Sequence, residues 1–215
     1  MFRAYYRTRY FIVILLCVVV LTPVTSFSAS SGVEGFRNKL MKRPVDKFST
    51  KYDDYFKKYS RIRFGRTFDW RWFKSQAMAE SALNRMATSP VGAQGLMQIM
   101  PKTGAWINEK DAMVKHNPFD PESNVKAGIF YDSYLYKQWR SKRPELDRIA
   151  CMISSFNCGL GNVLKAQKVC INSNYGGCNT WNSIKAQGAK VSSWKHQETL
   201  GYVNRIFRYM GYPGY

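Results

Sequence analysis

Acidic residues are scarce in this sequence. Its 215 residues include 14 Asp and Glu against 33 Lys and Arg, a formal net charge of +19 at pH 7. That balance excludes an acidic, cation-gathering chain and draws the protein to polyanions. Histidine is rarer still, with only two residues, and no pair of cysteines has the C-x2-C spacing of a zinc site. No apolar run reaches the ~18 residues of a clear membrane span, which excludes a polytopic membrane protein. No heptad run, collagen period or repeat of about 20–50 residues is present, so a fibre or solenoid is excluded. Alternating β-branched stretches are missing too, and the chain reads as mainly α. Hydrophobic residues make up 45% of the chain and aromatics 15%, which excludes a wholly disordered one.

The N-terminus carries Arg3, Arg7 and Arg9, then an apolar run from Phe11 to Leu21, then Pro23 and small residues. This is the layout of a secretory signal over residues 1–28, with cleavage before Ala29. An uncleaved anchor is the alternative, although the run is short for spanning. Removal of the signal takes three arginines and leaves +16, so the basic character belongs to the folded part. It also takes Cys17 and leaves Cys151, Cys158, Cys170 and Cys178. An even count in an exported chain reads as disulfide-forming. Cys151 and Cys158, if on one helix, lie about 10 Å apart, too far to bridge. Cys170 and Cys178 flank a Gly- and Asn-containing loop that can fold back, and are the easiest pair.

Residues 29–67 form a basic lead-in, in which Phe48, Tyr52, Tyr55, Phe56 and Tyr59 recur at helical spacing over about 47–60. Those rings suit packing on a neighbouring domain. The surrounding lysines and arginines suit adhesion to an anionic surface, an attraction that salt weakens. Residues 68–215 follow as the main domain. Helices are expected over 69–87, from Pro101, over about 122–139, over 147–156 and over 193–210, with 172–190 irregular. In the first of these, Asp69 serves as a cap and Phe73, Ala77, Leu83 and Met86 or Ala87 form an inward stripe.

Glu80 is the only carboxylate between Asp69 and Glu109. Its neighbours Ala77, Met78, Ala79 and Ala82 are apolar or small. A carboxyl group in such surroundings favours its neutral form, which is what a general acid needs near neutral pH. Downstream, the Gly92 and Gly95 turn leads to Met97, Gln98 and Met100, a mix of polar and adaptable apolar contacts.

These segments together resemble the soluble lytic transglycosylase family of the lysozyme superfamily. The match begins at Ala79-Glu80-Ser81-x-x-Asn84 and Ser89-x-x-Gly92-Ala93-x-Gly95-Leu96-Met97-Gln98-Ile99-Met100-Pro101-x-Thr103. It continues through Asn117-Pro118-x-Asp120-Pro121-x-x-Asn124-x-x-Ala127-Gly128 and Ser155-Phe156-Asn157-Cys158-Gly159-x-Gly161. It ends at Glu198-Thr199-x-x-Tyr202-Val203-x-x-Ile206, so the ordered blocks cover about residues 70–207. The resemblance implies a mainly α, lysozyme-like domain with a substrate groove and no cofactor or metal. It implies cleavage of the β-1,4 bond between N-acetylmuramic acid and N-acetylglucosamine in peptidoglycan, leaving a 1,6-anhydro end.

Glu80 would then act first as acid and next as base. Ser89 would orient the attacking hydroxyl or the acetamide, while Gln98, Met100, Phe156 and Asn157 would line the groove. Tyr202 would hydrogen-bond near Glu80, and Glu198 is as well explained by an ion pair or cap as by a substrate role. Phe156 stands where the family has Tyr, and Cys158 where it has Ala. The nearest rival is a goose-type-lysozyme-like hydrolase using Glu109, Asp120 or Asp132 to position water. A rival of another class is a non-enzymatic wall-binding scaffold; a nucleic-acid binder has no recognisable motif. The expected location is the periplasm or envelope, with glycan strands and anionic envelope polymers as partners. The biological setting spans general turnover, a secretion or conjugation machine, and phage.

Overall fold

A computed structural model describes residues 43–173 and 177–215. The proposed signal segment, its cleavage site and the lead-in before residue 43 lie outside the described residues. The described residues fall in a compact unit that runs from Lys42 to Tyr215.

Eight α-helices occur among the described residues: α1 Asp53–Phe64, α2 Arg71–Ser81, α3 Pro101–Lys110, α4 Pro121–Gln138, α5 Glu145–Cys158, α6 Leu160–Asn172, α7 Trp181–Lys185 and α8 His196–Tyr209. Short 3-10 turns cover Pro44–Lys47 and Gly188–Lys190. No strand is present among these residues; Thr88, Gln94 and Ile99 form isolated bridges within one loop. No helix among them is long and apolar enough to cross a membrane.

The centre of the unit is α5. Its stretch from Ile149 to Ser155 is buried on every residue. A helix apolar all round must be surrounded, and α4, α6 and α8 pack on it. Helix α2 packs on α8, and α1 on α4 and α2. Phe56 of α1, Phe73 of α2, Ile129 of α4 and Phe207 of α8 are fully buried, each contributing about 2–3 kcal/mol of hydrophobic stabilisation.

Several expected boundaries shift for identifiable reasons. The aromatic helix begins at Asp53 and not at residue 47, and Tyr52, Phe56 and Tyr59 are buried while Phe48 is exposed. Residues 43–67 are therefore packed into the same unit as the residues after them. Part of the basic charge in and just after this segment is also paired internally. Lys74 is fully buried with its Nζ 2.9 Å from Asp53 Oδ1, Lys58 pairs with Glu122, and Arg43, Arg63 and Arg71 pair with Asp69, Asp111 and Asp46.

The helix expected over 69–87 ends at Ser81, because Ala82 and Leu83 turn into the left-handed region at φ 53° and 63°. Of the expected inward stripe, Phe73 and Ala77 are buried and Leu83 packs on the core, while Met86, one of the two residues expected to end it, is exposed and Ala87 is half-buried. Asp69 still accepts the Arg71 backbone N–H at 3.0 Å, although Trp70 is the cap residue. Helix α6, unassigned in the sequence reading, buries Val163, Ala166 and Cys170 at helical spacing. Residues 177–190, expected to be irregular, include α7, capped by Thr180 accepting from the Ser183 N–H. Cys170 and Cys178 form a disulfide, while Cys151 and Cys158 lie on α5 as free thiols.

Candidate active site

Glu80 is the penultimate residue of α2. The next residue, Ser81, donates its hydroxyl hydrogen to the Leu96 carbonyl at 2.9 Å, with the Ala77 carbonyl at 3.3 Å. That bond ties the end of α2 to the loop over residues 88–100. The loop is itself closed by paired backbone bonds between Gln94 and Ile99 and by a single backbone bond from the Ser89 N–H to the Ala93 carbonyl.

The Asn117–Gly128 segment is the bracket that holds this loop. Asn124 Oδ1 accepts the Met97 N–H at 2.7 Å, and its Nδ2 donates to the Gln94 carbonyl at 3.1 Å. Gly95 has φ +79°, and a Cβ there would sit 2.1 Å from the Pro118 carbonyl oxygen. Gly128 lets Met97 lie against α4, since a Cβ would meet Met97 Cγ at 2.8 Å. Both glycines are required for close approach.

Helix α8 brings Tyr202 to Glu80. The buried Tyr202 hydroxyl donates to Glu80 Oε1 at 2.5 Å. Three residues earlier on the same face, Thr199 donates to Asn157 Oδ1 at 2.8 Å and accepts from Trp194 Nε1. One helix thus orients the carboxyl and fixes the end of α5. Among the described residues, no hydrogen bond is made to Glu80 Oε2, which leaves that oxygen for a substrate.

Burial raises the Glu80 carboxyl from its ordinary 4.5 to about 7, against lowering by the Tyr202 hydrogen bond and the Arg205 charge. The C-terminal end of α2 acts in the raising direction, since it presents partial negative charge. Near neutral pH such a group both gives and takes a proton readily. Behind it lie Gln76, one turn earlier on α2, and Asp132 of α4, both completely buried.

The other expected site residues are placed as follows. Met100 is exposed at the start of α3, and Phe156 is half-buried with its ring 5.6 Å from that of Tyr131. Asn157 lines a pocket of about 270 Å³ with Cys158, Asn162, Ser193, Lys195, Glu198 and Thr199. Glu198 sits on its exposed rim, 3.9 Å from Lys195 Nζ. Ser89 Oγ accepts the Ala93 N–H at 2.9 Å and keeps its own proton to donate.

Gln98 differs from the expected groove-lining donor. It adopts φ +45°, and its Nε2 donates to the Ala87 and Gly95 carbonyls at 3.0 and 2.9 Å. Its amide staples the loop, and only its oxygen is left for a ligand. The sequence reading also missed Gln76, whose position four residues before Glu80 puts it on the same helix face. Among the described residues no group of three His, Cys, Asp or Glu is arranged for a metal.

Residues 64–184 match the family described as the transglycosylase SLT domain. The chain is 30% identical over 152 residues to membrane-bound lytic murein transglycosylase F of Yersinia enterocolitica, covering 66% of this chain and 30% of that protein. The protein of the same name from Actinobacillus succinogenes is 30% identical over 177 residues, or 77% of this chain and 34% of that one. The chain thus spans about a third of the length of these curated relatives. The crystal structure of the 70-kDa soluble lytic transglycosylase from Escherichia coli superposes with a TM-score of 0.60 at 28% identity, covering 82% of this chain and 26% of that chain. The fold is the mainly α, lysozyme-like fold of that domain. With more than half of its length matched, Glu80 and its supporting loop included, this chain belongs to the SLT-domain transglycosylase family.

Proposed function

We propose that this chain is an exported peptidoglycan lytic transglycosylase that cuts the MurNAc-β-1,4-GlcNAc bond and leaves a 1,6-anhydroMurNAc end. The observation that carries this reading is the Glu80 carboxyl, raised to about 7, with one oxygen held by Tyr202 and the other without a hydrogen bond among the described residues. Protonated Glu80 donates from Oε2 to the bridging glycosidic oxygen as the bond breaks. The resulting carboxylate then takes the proton of the muramic C6 hydroxyl as that oxygen closes on its own anomeric carbon. No water is consumed, and Glu80 returns to its starting state. Ser89, Met100, Phe156 and Asn157 hold the sugars, with Gln98 contributing through its loop and its amide oxygen.

A hydrolase needs a second carboxyl facing the attacking water. Asp132 is sealed from solvent. Asp120 caps α4 by accepting the Ser123 N–H at 2.8 Å, and Glu109 pairs with Lys110 on an exposed surface. These engagements favour intramolecular attack over hydrolysis. A scaffold without activity has no use for a carboxyl held between its two protonation states. The excess of unpaired lysines and arginines supports retention on anionic envelope polymers.

Digestion of purified sacculi, followed by mass spectrometry of the fragments, tests the reading. Anhydro ends are expected, and Glu80→Gln should yield none. Reducing ends would establish a hydrolase, and full activity of Glu80→Gln would remove Glu80 from the chemistry.

A further inference from the structure

Behind Glu80 lies a second carboxyl that the reaction as written does not use. Asp132 and Gln76 are both fully buried, and Gln76 Nε2 donates to Asp132 Oδ1 at 3.4 Å. Asp132 Oδ2 and Gln76 Oε1 have no hydrogen-bond partner among the described residues. Both orphaned atoms are acceptors if Asp132 is ionised, and two acceptors cannot satisfy each other. One proton on Oδ2 resolves both at once. The carboxylic acid then donates to the amide oxygen while the amide donates back, a reciprocal acid–amide pair.

We propose that Asp132 acts as a neutral hydrogen-bond donor to Gln76, and thereby as a positioning residue for Glu80. With Gln76 Oε1 engaged by Asp132, the second amide hydrogen is left for the Tyr202 side, where Gln76 acts to lower the hydroxyl's pKa, the direction in which a donor acts. Tyr202, accepting from Gln76, must aim its own proton at Glu80 Oε1. The chain of bonds thus has one direction, from Asp132 through Gln76 and Tyr202 to Glu80. It ends with Oε1 as an acceptor, so the exchangeable proton of Glu80 resides on Oε2, the oxygen left for substrate. A buried polar chain of this kind holds only if every member is satisfied.

The surrounding charges are consistent with a neutral Asp132. Burial pushes it well above the ordinary carboxylate range, and the facing Glu80 pushes it further when ionised. The Gln76 hydrogen bond acts the other way. Tyr202 from α8 and the adjacent Tyr131 on α4 complete the ionisable groups around it, while Arg205 acts on Glu80. Helices α1, α3 and α5 also pack on α4, and among the described residues they bring it no charge that acts on Asp132.

This inference rests on the transglycosylase reading for its functional consequence, and its test has a readout independent of activity. In carboxyl-13C-labelled protein, the Asp132 resonance, assigned by its loss in Asp132→Asn, should stay at the protonated position from about pH 5 to about pH 8. A resonance that titrates there, or sits at the ionised position, overturns the proposal. On soluble glycan strands, Asp132→Asn should keep kcat within about twofold and leave the alkaline limb of the pH profile in place, because Asn both donates and accepts. Asp132→Leu should lower kcat about tenfold with KM changed less than about twofold, the signature of lost orientation. An Asn variant as impaired as the Leu variant, a shifted alkaline limb in Asp132→Asn, or a fully active Leu variant would each refute it. If Asp132→Leu does not fold, the resonance and the Asn variant still decide. If the wild-type protein fails to cut glycans while the resonance behaves as expected, the reading of activity fails and the acid–amide pair stands.

Discussion

Glu80 should cost the fold stability in order to serve the site, and the cost should depend on pH in a defined direction. Its carboxyl is raised from 4.5 to about 7 by burial. A group that binds its proton more tightly folded than unfolded stabilises the fold below the unfolded value. That contribution is lost as pH rises through the folded value. Across this window, at about 1.4 kcal/mol per pH unit, ionising Glu80 removes about 3 kcal/mol by pH 8. Glu80→Gln has the same shape and carries no charge at any pH. The variant and the parent should therefore match in stability near pH 4 and diverge as pH rises, with the variant about 3 kcal/mol more stable at pH 8. For a unit of this size the gap corresponds to roughly 6–12 °C in Tm. Thermal unfolding followed by circular dichroism at several pH values measures it, and lysis of sacculi by the same samples should be lost in the variant. A gap that is constant with pH would mean Gln packs better for reasons unrelated to charge. No gap at pH 8 would mean the carboxyl is not raised, and the reasoning from burial to acid chemistry would fall.

Tyr202→Phe removes a hydrogen bond that lowers the Glu80 value, so Glu80 should hold its proton to higher pH. A lost hydrogen bond to a charged group corresponds to an alkaline limb about one pH unit higher; a pH–rate profile of glycan cleavage reads it, and a limb that stays or falls contradicts the assignment. Gly95→Ala places a Cβ 2.1 Å from the Pro118 carbonyl oxygen at φ +79°. It should destabilise the domain by roughly 2–4 kcal/mol in urea unfolding, through strain and a broken bracket. An unchanged midpoint would show that the loop accommodates the methyl group by moving.

Part of the candidate site is legible in the sequence because its demands are local. Glu80 is conspicuous as a lone acid among small residues, and that isolation corresponds to its burial. Gly95 is legible as a glycine of close approach or positive φ, although what approaches it is not, and Gly128 is legible only as part of a matched block. The features that are not legible have several causes, contacts elsewhere in the chain among them. The end of α2 at Ser81 is set by a bond to Leu96, and nothing in residues 82–87 alone forbids another turn of helix. Gln98 resembles a groove residue in composition, yet its donors close a loop on Ala87 and Gly95. Helix α6 does carry apolar residues at helical spacing, but Gly161 and the lysines between them mask the stripe. Asp132 stands out as an acid in an aromatic run, and only its burial beside the Gln76 amide shows that it faces protein and not water.

On the mechanism proposed for Glu80, the balance around it explains why the acid is built from one carboxyl, one phenol and a distant guanidinium. Burial alone would hold the proton too firmly for the carboxylate to form when the glycosidic oxygen takes it. A directly paired arginine would hold the carboxylate too firmly for the acid form to exist at neutral pH. Tyr202 lies between these extremes, because a neutral donor stabilises the anion without fixing a full positive charge against it. Its hydroxyl would also serve both halves of the proposed reaction unchanged, donating to Oε1 whether Oε2 carries a proton or not. Arg205, three residues along α8 and exposed, adds a screened charge that trims the value without dominating it. A group that must be acid in one step and base in the next works best when neither form is strongly favoured.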